Sequence, residues 1–291
     1  MKSTSKIIDK VSIVTVTYNS SRNIGKMFNS LILNEEYIND VIIIENNSPD
    51  KSETRKICKS YASKLNLRYI LNQNVGFARS CNLGATIAKS KYILFLNPDT
   101  ELNNNSISVL LNHLQKNRSE IAGGKAINYE LVPHGSAVRS PNLFIGLFEF
   151  SNLGKLLRIK SAHKKFYYQD IKILETNSDK FVDAVSGAYL LITKNAFEKL
   201  RGFDENIFMY LEDVDLGKRA NDLGMKVIFC PHSCIWHIGG ASSSNKYHIR
   251  HQAWFDSRKY YFRKHFGLIH NIIVQPIFSL EEILLKKFKS L

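Results

Sequence analysis

The chain has 291 residues, of which 44% are hydrophobic and 23% charged, and this composition excludes a disordered or collagen-like protein. Its formal net charge of +14 predicts an anionic partner such as a nucleic acid, a phospholipid or a phosphorylated substrate. The sequence lacks an apolar run of the roughly 20 residues that span a bilayer, a signal peptide and a disulfide framework. We therefore expect a cytoplasmic protein.

The first half of the chain alternates short apolar runs with helical patterns. Strands that are buried on both faces read as continuous apolar runs, and such runs predict four strands, at 11–17, 41–45, 67–71 and 92–97. The segments between them have the length of crossover helices and lie at about 23–33, 51–64 and 76–89. This alternation predicts an α/β fold with a mostly parallel sheet flanked by helices.

The second half is less regular. The predicted elements are a helix around 110–114, a strand at 121–127, basic surface connections over 133–180, an apolar stretch at 181–192, helices at 194–200 and 212–223, and a strand at 226–229. Neither a Pro/Gly/Ser linker nor an internal repeat interrupts the chain. We expect one domain over 1–245 and a basic, aromatic, helical extension over 246–291.

Two common nucleotide-binding motifs are missing. The first strand ends in Thr17-Tyr18-Asn19 without the glycines that let a backbone approach the pyrophosphate of NAD. Neither Gly25-Lys26 nor Gly124-Lys125 is followed by a hydroxyl residue, as a P-loop requires. Hydride transfer and P-loop chemistry are therefore disfavoured.

Polar and acidic side chains instead follow the predicted strands, at the edge where open parallel sheets bind ligands. They lie in the segments 17–19, 45–48, 74–79 and 97–99. Arg79 in a Gly-led turn can pair with a phosphate, and Asp99 after a buried strand can hold a divalent ion that bridges phosphates. This edge of the sheet therefore predicts a site for a nucleoside diphosphate.

An ordered set of motifs between about residues 11 and 240 resembles the inverting glycosyltransferases of family 2, which have a nucleotide-sugar-binding GT-A fold. The motifs are Val14-Thr15-Val16-Thr17-Tyr18-Asn19, Gly76-Phe77-Ala78-Arg79, Phe95-Leu96-Asn97-Pro98-Asp99, Gly202-Phe203-Asp204-Glu205 and Tyr210-Leu211-Glu212-Asp213-Val214-Asp215-Leu216. Within the family, the chain looks most like the bacterial rhamnosyltransferase-type group that builds O-antigen and other surface polysaccharides.

The resemblance implies ligands for a metal ion and for the nucleotide. Asn97-Pro98-Asp99 occupies the family's metal motif, with Asp99 as the expected ligand of Mn²⁺ or Mg²⁺ and Asn97 in the place of the first acid. The expected nucleotide ligands are Thr17, Tyr18, Asn19, Glu45, Arg79 and Asn97. Of these, Glu45 stands where the family usually has Asp.

The resemblance also implies the catalytic residues. Glu212-Asp213 matches the family's acid pair, whose second member is the base, so Asp213 is expected to take the proton of the acceptor hydroxyl as it attacks the anomeric carbon. His237 stands where related enzymes have a histidine that reaches the metal or the diphosphate. Gly187 and Trp236 are expected beside the acceptor.

Ordinary structural roles compete with several of these assignments. Asp99 can end a strand through an Asx turn, Gly187 can be part of a strand bulge, and the acids at 212–213 can favour a helix N-terminus through the helix dipole. For Asp215 we expect a surface pair with Arg219, four residues further along the same helix.

Cys230, Cys234 and His237 lie close together in the sequence and invite the hypothesis of a zinc site. Structural zinc sites usually take two pairs of ligands that are well separated along the chain. The spacing here favours buried, inert cysteines.

The segment after Lys246 is basic and aromatic. Trp254, Tyr260, Tyr261, Phe262 and Phe266 alternate with Arg and Lys, which predicts a helix that lies in an anionic lipid interface. The alternative is a helix packed on the catalytic domain with a solvated basic face. The sequence contains no recognisable nucleic-acid-binding module.

These observations predict an inverting, metal-dependent glycosyltransferase. The resemblance implies dTDP-rhamnose as the first nucleotide-sugar donor, and a polyprenyl-diphosphate-linked saccharide as acceptor. The enzyme is expected to be peripheral on the inner face of the cytoplasmic membrane, with an anionic membrane surface and no nucleic acid as partner. The alternatives are a transferase for another UDP- or dTDP-hexose, a nucleotidyltransferase, and a non-catalytic carbohydrate-binding protein.

Overall fold

The computed structural model describes residues 9–128, 135–237 and 247–289. Its strands are β1 (Val11–Thr17), β2 (Ile38–Glu45), β3 (Leu67–Leu71), β4 (Tyr92–Leu96), β5 (Thr100–Leu102), β6 (Ile121–Ile127), β7 (Ala137–Val138), β8 (Lys180–Phe181), β9 (Ala184–Val185), β10 (Tyr189–Thr193) and β11 (Val227–His237). Nine of them form one sheet, with the order β3-β2-β1-β4-β10-β6-β11-β5 and with β8 beside β11. Strands from both halves of the chain therefore belong to one sheet.

The four strands predicted for the first half are confirmed. They form the parallel part of the sheet, in the order β3-β2-β1-β4. Strand β10 runs antiparallel to its neighbours β4 and β6, and β11 runs parallel to β6. The predicted α/β architecture with a mostly parallel sheet is thus present. The antiparallel strand β10 comes from the second half of the chain.

Helices cover both faces of the sheet. They are α1 (Ile24–Ile32), α2 (Lys51–Tyr61), α3 (Phe77–Ile87), α4 (Ser106–Lys116), α5 (Leu143–Phe148), α6 (Leu153–Leu156), α7 (Ser161–Phe166), α8 (Lys194–Lys199), α9 (Glu212–Asp222) and α10 (Tyr247–Lys289). The connection predicted over 133–180 is thus more ordered in its described part than expected, because three short helices lie in it. Among the described residues, no helix combines the length and the apolar character needed to cross a bilayer.

Two apolar clusters sandwich the sheet. One includes Phe28 of α1, Cys58 of α2 and Leu110 of α4, and the other includes Cys81 of α3 and Leu216 of α9. Since the inner strands are buried on both faces, their side chains alternate between the two clusters, as the continuous apolar runs predicted.

Strand β11 is longer than predicted. Its pairing with β6 is interrupted between Cys230 and Cys234 and then resumes. Because the strand continues beyond this bulge, it also pairs with β5 and brings His237 opposite Thr100. The bulge thus allows the end of β11 to reach the turn that follows β4.

Helix α10 packs on the rest of the protein. Tyr261 and Phe262 have no exposed surface, and they share a third apolar cluster with Val214 of α9 and Ile145 of α5. The expectation that these two rings lie in a lipid interface is therefore wrong. Their burial agrees with the alternative of a packed helix.

Asp215 is also placed differently from the prediction. The expected bond to Arg219 is present, at 2.7 Å between Oδ2 and Nε, but Asp215 has no exposed surface. Lys264 and His265 of α10 contact its other oxygen at 2.5 and 2.8 Å. The surface pair that we expected is a buried network, because the partners from α10 lie about fifty residues away in sequence, beyond the reach of a local helix rule.

Candidate active site

A cavity of about 380 Å³ lies at the carboxyl ends of β1 and β4. Of the residues predicted for the site, it is lined by Tyr18, Asn97, Asp99, Gly187, Glu212, Asp213 and His237. The sheet order explains this convergence, because β1, β4 and β10 are adjacent and β11 reaches β5, directly after the β4 turn. The position agrees with the edge at which open α/β sheets bind ligands.

Asp99 and His237 form the side of this cavity that is best suited to a cation. Asp99 follows β4 in a turn in which the Thr100 hydroxyl donates to the carbonyl of Asn97 at 2.7 Å. Asp99 is 7% exposed, and its Oδ1 is 3.4 Å from Nε2 of His237. The turn and the end of β11 therefore hold a carboxylate and an imidazole next to each other.

This pair fits a divalent cation. Two neighbouring ligands of an octahedral ion that binds at just over 2 Å lie about 3 Å apart, and the observed 3.4 Å is close to that separation. Carboxylate oxygen and imidazole nitrogen are both common ligands of divalent metals. Asp99 and His237 are thus the residues of this cavity that would hold Mn²⁺ or Mg²⁺.

Asp213 is held in place by two backbone amides. The amide of Gly187 donates to its Oδ2 at 2.8 Å, and the amide of Val214 donates to its Oδ1 at 2.8 Å. Because a carboxylate oxygen accepts at two lone pairs, these two bonds leave each oxygen able to accept a further hydrogen bond. Gly187, predicted beside the acceptor, thus lies in the cavity wall and orients Asp213.

Glu212 and Asp213 form a pair of neighbouring acids with different surroundings. Burial raises the pKa of both, and together with the charge of Asp213 it raises the pKa of Glu212 to about 8. Glu212 Oε2 has no hydrogen-bond partner among the described residues, whereas the two amides favour the ionised form of Asp213. Burial and the neighbouring charge thus favour the protonated form of Glu212, while the amides of Gly187 and Val214 favour the ionised form of Asp213.

The backbone before this acid pair is strained. Tyr210 and Leu211 have φ angles of 74° and 68°, a region that residues other than glycine adopt at a cost. The preceding Phe208 carbonyl accepts from the amide of Phe77 at 2.7 Å, and it lies 2.4 Å from the position that a Cβ on Gly76 would occupy. The loop at 208–211 thus needs glycine at position 76, where φ is +93°.

Three predicted nucleotide ligands at the ends of β1 and β2 do not line the cavity. The Thr17 hydroxyl donates to Oε2 of Glu45 at 2.8 Å, and Ser48 donates to Oε1 through its amide and its hydroxyl. Both Thr17 and Glu45 have no exposed surface, so they connect β1, β2 and the following turn. Asn19 lies in the turn after β1 with a φ of 52°.

Arg79 and Trp236 also lie outside the cavity wall. Arg79 is about half exposed, donates from Nε to the carbonyl of Glu205 at 3.1 Å and approaches the Glu205 carboxylate at 3.7 Å. Trp236 lies on β11 between Glu101 of β5 and Ile127 of β6.

Several cavity residues were missed from the sequence. Asn46, which donates to the carbonyl of Gly76 at 3.2 Å, stood next to Glu45 in a polar segment at the end of a strand and could have been found there. Arg250 comes from α10, and its Nε donates to the Tyr210 hydroxyl at 3.0 Å. Nothing in the local sequence links Arg250 to this site, because only the fold of α10 brings it there.

A second cavity of about 310 Å³ shares residues with the first. It is lined by Tyr210, Arg250, His251 and Trp254, and the first two also line the larger cavity. The rings of Tyr210 and Trp254 meet edge to face at 6.2 Å. The two cavities are therefore neighbours. The rings of Tyr210 and Trp254, together with Arg250, lie beside the acid pair.

The cysteines of β11 do not join His237 in a ligand cluster. Cys230 is fully buried and lies with His113 and Asp179, whose ligand atoms are all within 4.8 Å of one another. His113 Nδ1 is 2.7 Å from Asp179 Oδ2, an ordinary hydrogen-bond distance. This group lies outside the wall of the active-site cavity.

Comparisons with known proteins agree with the resemblance found in the sequence. Residues 12–175 match the model of the family "Glycosyl transferase family 2". The rhamnosyltransferase WbbL of Escherichia coli K12 is 26% identical over 259 residues, which cover 86% of each chain. The N-acetylglucosaminyl-diphospho-decaprenol L-rhamnosyltransferase of Mycobacterium tuberculosis is 28% identical over 244 residues, which cover 79% of this chain and 76% of that enzyme.

Solved structures show the same fold. GalNAc-T7 with UDP, GalNAc and Mn²⁺ superposes with a TM-score of 0.61 and 18% identity, over 88% of this chain and 50% of that one. A mannosyltransferase from Pyrobaculum calidifontis with GDP-Man and Mn²⁺ gives a TM-score of 0.58 and 15% identity, over 89% of this chain and 64% of that one. The predicted GT-A fold and glycosyltransferase identity are confirmed, and the chain belongs to glycosyl transferase family 2.

Proposed function

We propose that this glycosyltransferase transfers rhamnose from dTDP-rhamnose, with inversion and with Mn²⁺ or Mg²⁺, to a polyprenyl-diphosphate-linked saccharide during the synthesis of O-antigen or another surface polysaccharide. One observation carries the proposal: Asp213, oriented by two amides, lines the same cavity as the Asp99–His237 pair. The rhamnosyltransferase names of two relatives support the sugar, and the name of the mycobacterial one supports the acceptor class.

The donor lies with its diphosphate beside Asp99 and His237. Asp99 and His237 would hold a divalent cation, which would supply positive charge to stabilise the leaving nucleoside diphosphate. Tyr18 and Asn46 line the same cavity and contact the nucleoside. Glycine at position 76 lets the loop at 208–211 pack closely against this part of the wall, because a side chain there would collide with the Phe208 carbonyl.

Asp213 acts as the base of a single displacement. The acceptor oxygen forms a bond to the anomeric carbon while the bond between that carbon and the diphosphate oxygen breaks, and the hydroxyl proton passes to Asp213. Attack from the side opposite to the leaving group inverts the anomeric centre. Two backbone amides orient the Asp213 carboxylate and favour its ionised form, which suits it to accept this proton.

The second cavity is the approach for the acceptor. It adjoins the acid pair through Tyr210 and Arg250. Aromatic rings pack against the apolar faces of sugars, and an arginine pairs with phosphate oxygens. Tyr210, Trp254 and Arg250 therefore suit a saccharide that carries a diphosphate link, and such an acceptor places the enzyme at an anionic membrane surface.

The decisive experiment follows release of dTDP from dTDP-rhamnose in the presence of Mn²⁺ or Mg²⁺, with and without a short-chain polyprenyl-diphosphate-linked N-acetylglucosamine. Asp213→Asn is expected to lower transfer by about a hundredfold or more while dTDP still binds, and Asp99→Ala is expected to weaken metal-dependent dTDP binding. Asp222→Asn, on the exposed end of α9, is the matched control and should retain activity.

Two results would contradict the proposal. Equal transfer by Asp213→Asn and the wild type would remove Asp213 as the base. Turnover of UDP-hexoses but not of dTDP-rhamnose by the wild type would replace the proposed donor and leave the catalytic assignment in place.

A further inference from the structure

Helix α10 folds back on itself at Gly267. The backbone of this residue is not helical, with a φ of 63° and a ψ of −151°, and we call the residues after it, 268–289, the outer arm. Glu281 of the outer arm pairs with Arg258 at 2.9 Å, and Glu282 pairs with Lys259 at 2.5 Å. These two ion pairs fix which side of the outer arm faces the protein.

The inner side of the outer arm carries two fully buried apolar residues. Val274 and Phe278 have no exposed surface, and the Phe278 ring meets Phe262 edge to face at 5.7 Å. The Arg258 side chain, itself without exposed surface, lies over the Phe278 ring at 4.3 Å. The outer arm is therefore held firmly, and its orientation is defined.

The opposite side exposes large aliphatic side chains. Leu268 is 80% exposed, Ile272 74%, Leu280 59% and Ile283 62%, with the exposed Pro276 between them. At about 100° per helical residue, these positions fall on one face. Single exposed aliphatic residues are common on protein surfaces, whereas an apolar strip along one face marks an interaction site.

The distribution of charged residues along the outer arm indicates what contacts this aliphatic strip. The outer arm has two acids, Glu281 and Glu282, and both pair inward with cations of the preceding segment. The sequence continues with Lys286, Lys287 and Lys289, in a chain with a net charge of +14. An apolar face without acids, followed by lysines, complements an anionic lipid surface.

We propose that the outer face of the outer arm, defined by Leu268, Ile272, Leu280 and Ile283, inserts into the interface of an anionic bilayer. The inference deepens the proposed function, since a lipid-linked acceptor places the enzyme at a membrane. It also moves the lipid contact away from the aromatic segment 254–266 that the sequence favoured, because the structure uses Tyr261 and Phe262 of that segment in the core.

The test is co-sedimentation of the full-length protein with vesicles of phosphatidylcholine alone or with phosphatidylglycerol added. The double variant Ile272→Glu/Ile283→Glu is compared with Leu33→Glu/Leu223→Glu. The control replaces two aliphatic residues that are each 62% exposed and lie on other surfaces, so both variants change the net charge equally. Circular dichroism spectra and melting temperatures are measured to check that both variants fold.

The wild type and the Leu33/Leu223 control are expected to bind the anionic vesicles. The Ile272/Ile283 variant should partition more than about tenfold more weakly, because two aliphatic side chains no longer enter the interface. Changing Lys286, Lys287 and Lys289 to Gln should weaken binding by about fivefold per lysine at low salt.

Three results would overturn the inference: a wild type that does not bind anionic vesicles, equal binding by both double variants, or a wild-type dimer that only Ile272→Glu/Ile283→Glu dissociates. The last result would assign the strip to a second copy of the chain. Since vesicle binding needs neither donor nor acceptor, it can fail while sugar transfer succeeds, and the reverse also holds.

Discussion

Asp215 gives the most stringent test of how α9, the helix that carries the proposed base Asp213, is held in place. It lies two residues after Asp213 on α9, has no exposed surface, and contacts Arg219, Lys264 and His265. Burial alone would raise the pKa of Asp215, but the bonds from His265, Arg219 and Lys264 outweigh burial and hold the pKa below its ordinary value. We expect Asp215→Asn to destabilise the protein.

The size of the effect follows from burial. Removing one partner of a fully buried ion pair costs about 3–5 kcal/mol, but Arg219 and Lys264 keep 20% and 25% of their side chains exposed. Lys264 also keeps Asp204, at 2.6 Å. We therefore expect a loss at the lower limit, about 3 kcal/mol, or a decrease in melting temperature of about 6 °C or more.

Urea denaturation at neutral pH measures this loss, with Asp222→Asn as control. Asp222 pairs with Lys218 at the exposed end of the same helix, and its replacement should cost less than about 0.5 kcal/mol. Because the pKa of Asp215 is lowered by folding, its contribution exists above its ordinary value of 3.8 and is lost as the pH falls below that value. A loss under about 1 kcal/mol, or one that persists in acid, would refute the role of the network.

Three further predictions concern residues that line the two cavities. Folding raises the pKa of Glu212 to about 8, so Glu212 stabilises the fold most at pH values below its ordinary pKa of 4.5, and this contribution is lost as the pH rises through about 8. The melting temperature of Glu212→Gln should therefore rise relative to that of the wild type from about pH 5 to about pH 9. A constant difference between the two melting temperatures would contradict the raised pKa. Gly76→Ala places a Cβ 2.4 Å from the Phe208 carbonyl at a φ of +93° and should weaken dTDP binding in calorimetry by about tenfold or more; unchanged binding would show that the wall yields without cost. Trp254→Phe should raise the KM for the acceptor by about threefold to tenfold with the KM for the donor unchanged, and the opposite pattern would exclude an acceptor role for the second cavity.

The sequence predicts the first half of the fold well because the signal there is local. Strands β1 to β4 are short apolar runs, and each of the first three is followed by a segment long enough for a crossover helix, so one residue pattern defines both elements. The prediction of β11 ended at Phe229 because Pro231, His232 and Ser233 look like the end of a strand. They form a bulge, and the strand continues because β6 and β5 supply partners beyond it.

The candidate site was likewise predicted correctly where the sequence signal is local and missed where it depends on distant parts of the chain. Residues that the motifs placed directly after the inner strands or at the start of α9, such as Tyr18, Asp99 and Asp213, do line one cavity. Thr17 and Glu45 look equivalent in sequence, but their side chains bond to each other inside the sheet. Arg250 could not be found locally, because its distance from the acid pair depends on how α10 folds.

Helix α10 connects three properties that the sequence assigned to separate regions. It provides Arg250 and Trp254 to the second cavity, it contacts the buried Asp215 of α9 through Lys264 and His265, and its outer arm exposes the aliphatic strip. A truncation after Lys246 would remove all three and would also expose the third apolar cluster. Loss of activity in such a truncated chain is therefore expected whether or not the protein binds lipid, and only point changes on the outer face separate membrane contact from catalysis.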